Sequence, residues 1–315
     1  MPGPQAVTFG RGSMVLVATA LLAGCPMSDA YFVDPDYGAT PDAANGDARA
    51  PMDAKPMDTC PDDPTKTAPG KCGCGVSETA LCLVHRYSFE GTDTVLQDSV
   101  GSAAGTAMNC TQSNRSVTLS GTNQYINLPG GIISQLSSGT IEAWITWTAG
   151  GGSWQRIFDF GSSSASPGTP GATGVSYLFL TPENDYTHSI EVTYSETGVR
   201  GETTIRSTSA LRTGVMTHVA VVVDVPQKRL ALYVDGVLLA VTSSFPGSLA
   251  RLHDVNNWIG RSQFMADPGF QGSITELRIY STALRAPQVL ASFNAGPDNL
   301  PSQSDGGAGD GSSGD

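Results

Sequence analysis

Cysteine and histidine are the residues with the most obvious chemical potential in this 315-residue chain. The cysteines stand at Cys25, Cys60, Cys72, Cys74, Cys82 and Cys110, four of them crowded between 60 and 82. Cys72 and Cys74 could chelate a metal, but the spacing fits no common zinc pattern. The four histidines, His85, His188, His218 and His253, are scattered, and no His-Glu-x-x-His occurs. A Gly-x-Ser-x-Gly nucleophile turn is absent too. Gly309-x-Gly311-x-x-Gly314 spells a dinucleotide pattern in a Gly/Ser/Asp tail with no strand before it. Aromatic residues beside small polar ones are the stronger signal. Trp154 lies in GGGSWQRIF, and Tyr186 and His188 in ENDYTH. Such rings on loops stack against ligands, so these three are candidate ligand-binding residues. Trp258 in NNWIG, with Trp144 and Trp147, follows strand periodicity and is expected in the core.

Charge is unevenly placed. Residues 1–25 carry +1, 26–83 carry −6, 84–296 carry −3 and 297–315 carry −4, giving −12 in all. The acidity therefore sits in two arms, and acidic arms repel polyanions, which excludes nucleic acid as a partner. Residues 1–24 read as a targeting segment: Arg11 precedes the apolar run Met14 to Gly24, too short for a permanent membrane span. It ends in Leu21-Leu22-Ala23-Gly24-Cys25, which resembles the lipobox of bacterial lipoproteins. That resemblance implies cleavage before Cys25 and lipidation of its thiol. The implied product is exported and lipid-anchored to the bacterial cell envelope, at the outer membrane or cell surface. Export permits disulfides, and Cys60, Cys72, Cys74, Cys82 and Cys110 are an odd set of candidates, so one is free or pairs elsewhere.

Residues 25–59, rich in Pro, Ala and Asp, have too little apolar surface to offset the entropy of ordering and are expected to be a disordered spacer. Residues 60–83 form a Cys-rich module resembling a Cys-Pro-Asp…Cys-Gly-Cys-Gly unit of exported bacterial proteins. In those proteins calcium-binding Asp repeats often adjoin it; here the repeats are missing and no metal role carries over. The tail 297–315 is expected to be disordered.

Between 84 and 296 the texture is all-β. Ile141–Trp147 alternates, with Ile141, Ala143, Ile145 and Trp147 on one face. Thr217–Val225 is a continuous apolar strand, as in a sheet covered on both sides. Arg229–Thr242 is a hairpin whose Asp235-Gly236 supplies the positive φ angles of a type I′ turn. Ser273–Ser281 alternates again, and only Pro287–Phe293 looks helical.

In order, HRYSFEG, QYINLPGG, GTIEAWITW, RIFDFGSS, THVAVVVD, RLALYVDGVLLA, NWIGRS and FQGSITELRIYSTALRAPQV resemble a laminin-G/concanavalin A-like domain. The resemblance implies a two-sheet antiparallel jelly-roll sandwich of about six or seven strands per sheet. Met216 stands where that family usually has Trp, and Ser162–Gly174 is a long insert expected at the rim. Glycosidases of this fold use Glu-x-Asp-x-x-Glu on a strand. The nearest match, Glu183-Asn184-Asp185-Tyr186-Thr187-His188, lacks the last carboxylate and follows Pro182, so it reads as a polar loop. Relatives often bind calcium at the sandwich edge, which implies Glu90, Asp98 and Glu276 as ligands, although Thr275 replaces an acid some relatives carry. The expected function is a non-catalytic binding or adhesion module recognising glycan or a cell-surface protein. Structural display is the alternative, and glycoside hydrolysis a distant third.

Overall fold

The computed structural model describes Cys72 and residues 82–301; Cys25, Cys60 and Cys74, and the arms that hold them, lie outside the described residues. Sixteen strands and one helix follow in order: β1 (Leu83–Tyr87), β2 (Val95–Leu96), β3 (Gly105–Met108), β4 (Gln112–Ser113), β5 (Ser116–Ser120), β6 (Tyr125–Leu128), β7 (Gly139–Trp147), β8 (Phe158–Ser163), β9 (Gly174–Thr181), β10 (Glu191–Ser195), β11 (Thr203–Arg206), β12 (Met216–Asp224), β13 (Arg229–Val234), β14 (Val237–Thr242), β15 (Asn256–Ile259), β16 (Gln271–Tyr280) and α1 (Ala286–Ala295).

They build two antiparallel sheets of eight strands each, in the orders β14-β13-β12-β7-β16-β5-β4 and β11-β10-β9-β8-β15-β6-β3-β2. The eighth strand of the first sheet is β1, which pairs with β16 beyond the end of β5. The antiparallel sandwich implied by the sequence is therefore present. Its sheets are larger than expected because two-residue strands such as β2 and β4, too short to leave a periodic signal, extend the edges.

Side chains alternate along each strand, so each sheet has an inner and an outer face. Ile141, Ala143, Ile145 and Trp147 of β7 join Val219, Val221 and Val223 of β12 in the core between the sheets, facing Phe158, Phe160, Leu178 and Val192. The outer face of the first sheet is also buried: Ala220, Val222, Ala231 and Tyr233 pack with Val289 of α1. That accounts for the unbroken apolar run of β12. The β13–β14 turn has φ of 48° at Asp235 and 77° at Gly236, the left-handed pair the sequence calls for. Gln288 Oε1 accepts the Arg285 N–H to start α1, and Gly296, at φ 79°, ends it.

Beneath α1 lies a charged cluster. Arg278, wholly buried, donates to the carbonyls of Gly296, Pro297 and Asn299, and its guanidinium sits 4.4 Å from the Trp144 ring centroid. Arg86 donates to the carbonyls of Pro297 and Asp298. The two arginines thus clamp the segment that follows the helix. His218 is buried as expected, between Trp144 and Phe293, but neither ring nitrogen has a protein hydrogen-bond partner; Glu142 Oε1 is 3.5 Å away. Cys72 and Cys82 form a disulfide and Cys110 is a free, half-buried thiol. Among the described residues no helix is long and apolar enough to cross a membrane.

Candidate functional site

Among the described residues no helix lies over the outer face of the second sheet. Its core-facing residues, Leu178, Leu180, Val192 and Ile205, alternate with Phe179, Glu191, Thr204 and Arg206, which point the other way and floor a groove of about 340 Å³. Trp154 and Tyr186 stand over this floor from two loops. The Trp154 N–H donates to Glu183 O at 2.8 Å, tying the glycine-rich loop before β8 to the loop between β9 and β10. Trp154 adopts φ 67°, a left-handed conformation strained for a bulky residue and held by its surroundings. Its ring meets Tyr186 edge-on, with centroids 5.5 Å apart and planes at 73°.

Asn184 builds the Tyr186 loop. Fully buried, it accepts from the backbone N–H groups of Tyr186 (3.1 Å) and Thr187 (2.7 Å) through Oδ1. Its Nδ2 donates to Ser189 Oγ and to Glu191 Oε2. Tyr186 is consequently held out at 77% exposure, beside Trp154 rather than packed in the core. The Glu183–His188 segment is thus a turn, as the sequence implies, and not a catalytic strand. His188 pairs with Glu183 at 2.9 Å and does not line the groove. Of the three aromatic candidates the fold brings Trp154 and Tyr186 together and leaves His188 aside. Trp258, Trp144 and Trp147 are buried.

Reading the sequence did not single out Arg156, Glu191 or Arg206. Arg156, only 2% exposed, lies with its guanidinium 3.9 Å from the Phe179 ring centroid. It donates to Trp154 O at 2.6 Å and to Asp267 Oδ2 at 2.7 Å, and pairs with Asp159 at 3.3 Å. Arg156 therefore locks the Trp154 backbone against the sheet. Glu191 is pushed up in pKa by burial, against the pull of Thr193, Arg206 and Asn184. Glu202 Oε1 accepts the Tyr177 hydroxyl at 2.6 Å. Every carboxylate lining the groove already serves as an acceptor for the protein's own donors. The alternation Ile190-Glu191-Val192-Thr193-Tyr194 carried the one sequence signal for Glu191, a carboxylate on the face that needs no apolar residue.

The insert expected at the rim is shorter than the sequence suggests, because Ser162 and Ser163 belong to β8 and Gly174 to β9. The loop is pinned by Gly168 N–H to Asn256 Oδ1 (2.7 Å) and by Gly171 N–H to Gln263 O (2.9 Å), and it does not fill the groove.

The three carboxylates implied as calcium ligands do not fit that ion. Asp98 Oδ1 accepts the N–H groups of Arg86, Val100 and Gly101, while Oδ2 accepts that of Ala103 and lies 2.7 Å from His85 Nδ1. Glu276 is buried and paired with both Arg86 and Arg278. Glu90 is exposed and faces Arg115. N–H and guanidinium donors occupy the positions a cation would need, and among the described residues no group of three His, Cys, Asp or Glu side chains gathers as a metal site.

Two eight-stranded antiparallel sheets, one covered and one bearing an open aromatic groove, define a lectin-like sandwich. The chain belongs to the concanavalin A-like lectin/glucanase superfamily, whose laminin-G-type family model matches residues 120–290. Among solved structures it is similar to domain 4 of the extracellular arabinanase AbnA from Geobacillus stearothermophilus, solved with arabinotriose. That match has 22% identity and a TM-score of 0.55, covering 66% of this chain and 96% of that one. The Trypanosoma rangeli sialidase, solved with sialic acid, matches at 17% identity and TM-score 0.52 over 70% of this chain. This chain spans only 34% of that sialidase. Comparison with curated proteins gives no match. At these identities the likeness establishes the fold.

Proposed function

We propose that this protein is a non-catalytic glycan-binding module, held at the cell envelope through a lipid on Cys25. The observation that carries the reading is the Trp154–Tyr186 pair: two rings in edge contact, one of them 77% exposed, above a floor of hydrogen-bonding side chains. An aromatic platform beside fixed polar groups is what sugar rings need, apolar C–H faces against the ring and hydroxyls against the donors. The ligand seen with the arabinanase domain is consistent with this use of the fold. Binding is favoured over pure display because the groove stays open beside the inserted loop. Against catalysis stand the Glu183–His188 segment, a turn that lacks the last carboxylate of the glucanase pattern, and the protein donors that already engage one oxygen or more of Glu191, Glu202 and Asp267.

The test is a glycan and polysaccharide binding screen of the full chain, with calcium and with chelator, repeated for Trp154→Ala. Removing a central aromatic anchor is expected to cost about 2 kcal/mol or more, roughly thirtyfold in affinity. Unchanged binding in Trp154→Ala would remove the groove from the reading. Loss of binding in chelator would bring back a metal that the described carboxylates do not hold.

A further inference from the structure

A second cavity, of about 430 Å³, adjoins the Trp154 groove and shares Phe264 and Asp267 with it as a common wall. Arg261 lines it and forms no ion pair among the described residues. The guanidinium lies 4.4 Å from the Tyr125 ring centroid and 4.6 Å from that of Trp258, so two aromatic rings fix its position. Trp258 is itself fixed by a 3.0 Å bond to Asn127 Oδ1. The protein hydrogen bond Arg261 makes is a long one, 3.4 Å to Gly168 O, and it has no carboxylate partner among the described residues. Asp267, on the shared wall, pairs with Arg156 at 2.7 Å and accepts from Ser262 Oγ at 2.7 Å, both through Oδ2, and forms no ion pair with Arg261.

Residues 84–296 carry more carboxylates than cations, a net −3, yet among the described residues none pairs with this cation. A planar guanidinium held by ring stacking keeps its edge donors for a ligand, and that fork matches a carboxylate. The Trp154 groove differs: there Arg156 and Arg206 are already paired with Asp267 and Glu191. The geometry points to an acidic glycan as the ligand, its uronic-acid carboxylate held by Arg261 in the second cavity while an adjoining sugar unit stacks at Trp154 and Tyr186. This rests on the glycan-binding reading and adds the class of sugar. The exposed Met265 offers the acidic unit an apolar edge.

The test is calorimetric titration of the full chain, in chelator, with trigalacturonate and with neutral galactotriose, for the wild type, Arg261→Gln, Arg261→Lys and Trp154→Ala. Trigalacturonate is expected to bind about tenfold tighter than galactotriose, from one charge-assisted pair. Arg261→Gln should abolish the preference and Arg261→Lys should keep part of it. Added salt should weaken trigalacturonate binding alone. Equal affinity for both trimers, with dependence on Trp154, would overturn the acidic-sugar inference and leave the glycan reading standing. Binding of neither trimer would overturn both. Triglutamate bound as tightly as trigalacturonate, and released by Arg261→Gln, would overturn the sugar assignment and assign the cavity to acidic peptides.

Discussion

Asp98→Asn is expected to loosen the domain substantially whether or not calcium is present. The carboxylate takes five donors: the backbone N–H groups of Arg86 (3.0 Å), Val100 (3.2 Å), Gly101 (2.9 Å) and Ala103 (3.1 Å), and the His85 ring at 2.7 Å. An amide can keep its oxygen on the three donors at Oδ1. Its NH₂ then faces the Ala103 N–H, donor against donor, while His85 can accept from it only as the other tautomer, and three contacts lose their charge assistance. Charge-assisted bonds contribute about 1.5–3 kcal/mol and neutral ones about 0.5–1.5, so a total near 3 kcal/mol is expected. In a domain of this size that corresponds to a Tm lower by about 6–12 °C. Burial alone would raise the Asp98 pKa, but the His85 bond and the Arg86, Gly101 and Ala103 N–H groups outweigh it and hold the group well below the usual carboxylate range. The stabilisation is therefore full above the unfolded pKa of about 3.9 and fades only as pH falls below it. Urea and thermal unfolding of both proteins from pH 7 to pH 3, in calcium and in chelator, would measure this. A gap under about 1 kcal/mol at pH 7 would refute the reasoning. So would a calcium-induced rise in Tm seen in the wild type and missing in the variant, since that would make Asp98 a metal ligand.

Asp159 behaves oppositely: burial pushes its pKa up to about 7, with Arg156 and the Gln263 N–H pulling it back only in part. Its folded pKa is raised, so its contribution to stability is full below about pH 4 and is lost as pH rises through 7; Asp159→Asn should flatten that slope in a pH series of unfolding curves. Tyr186→Ala should weaken glycan binding about tenfold or more, whereas His188→Ala should leave it within twofold, as titration against a common glycan would show. Cys72→Ser opens a disulfide spanning ten residues, for which loop-closure entropy gives a loss of about 2.5 kcal/mol; a Tm equal to that of the oxidised wild type would count against any stabilising role.

The core was legible because β7 and β16 are long enough for period-two alternation to repeat, because the unbroken apolar run of β12 marks a strand covered on both faces, and the Asp235-Gly236 turn because few residues accept two positive φ angles. Trp154 and Tyr186 were legible by type and by polar neighbours. Their meeting was not, since it depends on Asn184 and on the Trp154 N–H to Glu183 O bond, neither of which leaves a periodic trace. Arg156 was hidden for a related reason. It sits two residues after Trp154 and reads as a surface cation, yet it is buried against Phe179 and Asp267, a partner 111 residues away. The donors around the carboxylates expected to bind calcium were not legible, because a lone carboxylate in sequence carries no record of its partners. Asp98 turned out to organise its own turn, and Glu276 to hold two arginines.

The clamp formed by Arg86 and Arg278 on the carbonyls of residues 296–299 has a topological consequence. Arg86 belongs to the first strand of the domain, four residues after Cys82, so the clamp brings entry and exit of the chain side by side. Both leave from the sheet that α1 covers, while the groove opens on the outer face of the other sheet. A domain with neighbouring ends can be circularly permuted, or spliced into a host loop, without stretching its frame. A short bridge from Pro301 to Cys82 and new ends within 164–173 would still place the groove facing away from whatever carries it.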